Sequence, residues 1–66
     1  MEHFTVHVKN LITNKIRKIA LPCADHYLAH KKIFESINMF KEEIVSIKDS
    51  KKNEVFNLEQ GFIFES

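Results

Sequence analysis

His26 and His30 stand four residues apart, with Cys23 and Asp25 just before them. On a helix that spacing projects both imidazoles from one face, and imidazole, thiolate and carboxylate are the ligands zinc prefers. Cys23 and Asp25 fall in or before the helix cap, however, and no second cluster of ligands occurs elsewhere. The residues are therefore read as holding no metal, with His26 expected at the surface and His30 on the helix flank against a sheet. His3 and His7 share the spacing, but four residues of strand cover about 13 Å, too far for one ion. Cys23 with His26 would also suit a nucleophilic pair, because the local positive potential of a helix N-terminus favours the thiolate. Such a pair needs an oxyanion pocket and a third orienting group. Neither is supplied. The only glycine is Gly61, so no phosphate-cradling loop exists, and the adjacent acids Glu42 and Glu43 would point to opposite faces of a strand. Cys23 is expected to be a buried or half-buried structural thiol, and the chain is expected to be no enzyme and to need no cofactor.

Binding chemistry is carried by two other sets of residues. Lys9, Lys15, Arg17 and Lys18, with His7 nearby, are the candidate phosphate contacts of a nucleic-acid-binding surface. The first 22 residues hold those four cations against Glu2 alone, residues 23–38 balance, and residues 39–66 carry two more acids than bases, for a net charge of +1. A nucleic-acid binder gathers a larger excess on one face and interleaves aromatics for base stacking, so this reading stops at weak, non-specific contact. The same lysines on an edge strand would block unwanted strand pairing. The second set is apolar. Leu11, Ile12, Met39, Phe40, Phe62, Ile63 and Phe64 fall outside any clean alternation, and one helix over a small sheet has little room to cover them all. Phe62-Ile63-Phe64 is impossible to place wholly on one sheet face, so these three residues are the expected partner-binding patch, for a protein partner or a homodimer.

The elements that must position these residues follow from periodicity. Phe4, Val6 and Val8 alternate with Thr5, His7 and Lys9, as in a strand with one buried face. After the turn-formers of residues 10–14, Ile16, Ile19 and Leu21 read as a strand pairing back antiparallel. The odd step from Ile16 to Ile19 predicts a bulge near Arg17-Lys18 if both face the core. Pro22 is expected to end that strand, Asp25 to cap a helix over 25–38, and Asn38 to close it in a left-handed conformation. Ala29, Ile33 and Ile37 recur at four-residue steps as its buried stripe. Ile44, Val45 and Ile47, the turn Ser50-Lys51-Lys52-Asn53, and Val55, Phe56 and Leu58 make a second hairpin, and residues 62–64 form either a fifth strand or a tail over the core.

The fold class is thus α+β: one domain over residues 1–66, a small two-layer arrangement of a mostly antiparallel sheet of four or five strands and one helix, in the order β-β-α-β-β. The chain has 66 residues, 44% hydrophobic and 29% charged. A domain of this size buries only roughly 60% of the surface its unfolded chain exposes, which leaves a thin core and no deep cleft. No apolar run is long enough to span a bilayer, and no charged, apolar and small-residue signal segment stands at the start. The lone cysteine rules out a disulfide framework, so no membrane association and a cytoplasmic address are expected.

Val6-His7-Val8-Lys9-Asn10-Leu11, then Leu21-Pro22, Leu28 and Ile37 on a helix, and Glu42-Glu43-Ile44-Val45-Ser46-Ile47-Lys48-Asp49 together resemble the N-terminal domain of ArdA-type antirestriction proteins, over residues 4–49. The resemblance implies a β-β-α-β fold, a phage or mobile-element origin, and a host defence enzyme as partner. The family's first turn carries Tyr-Asn-Glu-Gly where this chain has Ile12-Thr13-Asn14-Lys15, and the family is strongly acidic because it imitates the phosphates of DNA. Nine acids against ten bases make no such array, so no functional residues are carried across. The expected function is a small non-catalytic protein-binding module of antidefence type. The alternatives are a homodimeric interaction module or a weak nucleic-acid binder using the basic first hairpin.

Overall fold

A computed structural model describes residues 2–63. Strand β1 (Glu2–Asn10) turns into β2 (Ile16–Cys23), helix α1 (His26–Ser36) follows, and then β3 (Glu42–Lys48), β4 (Glu54–Asn57) and the two-residue β5 (Gly61–Phe62). They form one antiparallel sheet in the order β2-β1-β3-β4-β5 with the helix on one face, so the α+β two-layer architecture holds and the fifth strand is present.

Phe4, Val6 and Val8 of β1 lie buried with Ala29 and Ile33 of the helix and Ile37 just past its end, and Cys23, Ile44 and Ile47 complete the core. The stripe spacing on the helix and the alternation on β1 thus meet face to face. Asp25 caps the helix, its Oδ1 accepting the Leu28 N–H at 2.9 Å. The far end departs from expectation. The helix stops at Ser36, and Ile37 is extended (φ −97°) with its N–H donating to the Ile33 carbonyl. Asn38 is not the left-handed exit; it organises the next turn, its side-chain oxygen accepting from Phe40 N–H and its carbonyl from Lys41 and Glu42 N–H.

Two further expectations are corrected. β2 runs through Pro22 to Cys23. It is an edge strand, and a proline is tolerated there at a position whose N–H would only face outward. The pairing of β1 with β2 also runs unbroken, so no bulge lies at Arg17-Lys18; Ile16 faces away from the helix and is exposed. The odd steps are absorbed elsewhere. In β3 the register against β1 shifts so that Ser46 faces His7 and Ile44 faces Val8, with Val45 left over. That shift turns Ile44 and Ile47, three residues apart, onto one face, which a regular strand forbids. A second shift places Glu54 opposite Lys48 and skips Val55.

Candidate functional site

Three surface features are built on this frame. The first is the sheet face opposite the helix, which no second layer covers among the described residues. Because Phe4, Val6 and Val8 point to the helix, Thr5, His7 and Lys9 point away. Register adds their neighbours: His7 lies opposite Lys18 of β2 and Ser46 of β3, and Thr5 lies opposite Lys48. His7 Nδ1 and Ser46 Oγ share a hydrogen bond of 3.1 Å. Beside them is a depression of about 260 Å³ lined by Thr5, His7, Lys18, Lys48, Asp49 and Lys52. Partial burial, then the charges of Lys18 and Lys48, hold the His7 imidazole below its ordinary pKa against an opposing pull from Glu54. A hydroxyl on an imidazole is half of a nucleophilic relay, and no third orienting group is hydrogen-bonded to it among the described residues.

The second feature is a ring cluster between the helix and the β4–β5 side of the sheet. Phe62 packs against Phe56, Tyr27, His26 and His30, with centroid separations of 5.1, 4.6, 5.7 and 5.2 Å. His30 also meets Phe56 at 4.9 Å and stacks on Phe34 at 5.9 Å. Burial lowers the pKa of His30, since neutral imidazole is the form that apolar surroundings tolerate. His26 is not the surface residue expected. It is half-buried, edge-on to Phe4, and its Nε2 is buried without a hydrogen-bond partner.

The third feature is an apolar end. Asn10 folds the 10–15 turn, its side-chain oxygen accepting from the N–H groups of Ile12 and Thr13 and its backbone from that of Asn14. The Leu11 N–H donates to the Lys41 carbonyl at 2.8 Å, so this turn and the 38–41 turn form one surface. It presents Leu11, Ile12, Met39 and Phe40, of which Ile12 is 71% and Phe40 87% exposed. A shallow groove of about 200 Å³ runs on from Met39 between Phe34, Ile37, Ile44, Phe56 and Leu58.

The sequence-derived candidates are distributed across these features. Of the expected partner patch, Phe62 lies in the ring cluster and is half-buried; Ile63 is half-buried with its N–H on the Val55 carbonyl; Phe64 falls outside the described residues. The basic residues do not share a face. Lys9 and Lys18 lie on the uncovered side, Lys15 is in the turn, and Arg17, opposite the inward Val8, lies on the helix side, paired with Glu42 at 3.0 Å. Cys23 is buried and reduced, and the described residues contain no group of three or more His, Cys, Asp or Glu that could hold a metal ion. None of the helices described is long and apolar enough to cross a membrane.

The depression on the uncovered face escapes sequence reading because it joins β1 to residues some forty positions away. The alternation of Thr5 and His7 opposite a buried face was its only signal. Comparisons with protein-family models, with curated proteins and with solved structures find no match.

Proposed function

We propose that this chain is a small non-catalytic protein-binding module of phage or mobile-element antidefence type, docking its apolar end on a host defence enzyme. The observation that carries the reading is that end itself, where Ile12 and Phe40 are the most exposed large hydrophobic side chains among the described residues and a backbone hydrogen bond fixes their two turns together. An ordinary surface scatters such residues singly; a preformed pair of apolar turns costs little ordering entropy on docking. The near-neutral charge favours apolar contact over imitation of a phosphate array.

The test uses a restricting bacterial host that expresses the chain and is challenged with unmodified phage. Wild-type chain is expected to raise plating efficiency, and the Ile12→Ser, Phe40→Ser double variant to abolish that protection while keeping the wild-type denaturation midpoint. No protection by the wild type against any restricting host tried would end the antidefence reading. Light scattering on the same two proteins decides a competing occupant: a dimer that the double variant dissolves assigns the apolar end to self-association.

A further inference from the structure

The lysines around the uncovered-face depression outnumber the carboxylates beside them, and those carboxylates are engaged elsewhere. Asp49 lines the same depression, but its Oδ1 accepts the N–H groups of Lys51 and Asn53, each at 2.9 Å, and so closes the turn between β3 and β4. Glu54 stands directly opposite Lys48, yet its carboxylate takes the Asn57 amide. Among the described residues the one ion pair is Arg17 with Glu42, on the other side of the sheet; Lys18, Lys48 and Lys52 form none, and their three charges exceed the two of Asp49 and Glu54, so the depression is net positive. Lys52 also holds a left-handed backbone, φ 67°, which costs a residue with a Cβ of the order of 1 kcal/mol and which glycine or asparagine would adopt more cheaply. Thr5 contributes a hydroxyl and His7 a ring nitrogen, both suited to an oxyanion.

We infer that this depression is an anion site for the phosphomonoester group of a small phosphorylated ligand, held by Lys18, Lys48 and Lys52 with Thr5 and His7 as further hydrogen-bonding partners. Three ammonium groups against the single carboxylate of Asp49, itself held by the N–H groups of its turn, leave a concavity of about 260 Å³ positive enough for a compact dianion. An extended polyanion is served poorly. Lys9 lies on the same face beyond His7 but stands opposite Glu43, Glu54 stands opposite Lys48, and neither Lys15 nor Arg17 extends the row. The site is separate from the apolar end and does not depend on that end binding a protein.

The experiment is an amide and imidazole NMR titration of the 66-residue chain with inorganic phosphate at fixed ionic strength, with chloride as the compensating salt. Saturable shifts are expected at Thr5, His7, Lys18, Lys48 and Lys52. The apparent pKa of His7 should rise, because a bound dianion opposes Lys18 and Lys48 and adds to the pull of Glu54, while Asp49 and Lys52 keep their places. The Lys18→Gln, Lys48→Gln double variant, altered only at polar positions of the uncovered face, should weaken binding at least about tenfold with an unchanged denaturation midpoint. Shifts that chloride reproduces, or that persist in the double variant, overturn the site. Tighter binding of a mixed-sequence single-stranded 12-mer than of phosphate, falling steeply with salt, overturns the small-ligand assignment in favour of a nucleic-acid backbone.

Discussion

A histidine with a lowered pKa sits on each face of the sheet. His30 is wedged among Phe34, Phe56 and Phe62, and His7 sits between Lys18 and Lys48; each imidazole is held below the ordinary value of 6.5, His30 by burial and His7 by burial first and the two lysines second. In the unfolded chain both protonate as pH falls past 6.5, while the folded chain resists. The stability they contribute is therefore whole above 6.5 and is lost as pH falls through the lower folded values. Urea denaturation should give a lower midpoint at pH 5.5 than at pH 7.5, a window in which ordinary carboxylates stay ionised, and His30→Phe should flatten part of the difference. An identical midpoint at both values would refute this account. Cys23 makes a second prediction at this scale. With 2% of its surface exposed at the base of the core, its thiol should react with a disulfide reagent no faster than the protein opens. Fast stoichiometric labelling of the native protein would show that the helix start does not seal it.

At the level of elements, α1 rests on one cap. The described first turn carries no acidic residue and the last no basic one, so the bond from Leu28 N–H to Asp25 is the main terminal stabiliser. Asp25→Ala is expected to cost about 1 kcal/mol in equilibrium unfolding, and Asp25→Asn much less; equal losses in the two variants would assign the effect to charge rather than capping. The same elements show what was legible in the chain. The alternation of β1 and the Ala29-Ile33-Ile37 stripe were readable because each is local and each buries one face. The bulges were not, because a step of three apolar residues has two solutions. β2 lets Ile16 go to solvent, whereas β3 leaves Val45 over so that both isoleucines stay inside. Which solution is taken depends on what lies across the sheet: Val6 and Val8 back β3 at the centre, while Ile16 sits on an edge strand. Lys18 was visible as part of a basic hairpin. Its companions Lys48 and Lys52 were not, since only the non-local pairing of β1 with β3 brings them to it.

For the whole molecule, the β1–β3 ladder separates the two proposed binding surfaces. Thr5 opposite Lys48 lies at one end of it, beside the proposed phosphate site, and Asn10 opposite Glu42 lies at the other, beside the apolar turns. The residues lining one are distinct from those exposed at the other, so their binding should be additive. The Ile12→Ser, Phe40→Ser variant should bind inorganic phosphate with unchanged affinity by NMR titration; a change of more than a few-fold would mean that the sheet transmits between its ends.

The placement of β1 in the sheet carries a further consequence, for how the molecule comes together in time. The turn between β1 and β2 closes over a few residues, but joining Val6 to Ile47 requires roughly forty residues, the whole helix included, to loop back first. Closure entropy of that kind must be met before the contacts reward it. The contact expected to set the pace of folding is therefore that of the third strand with the first.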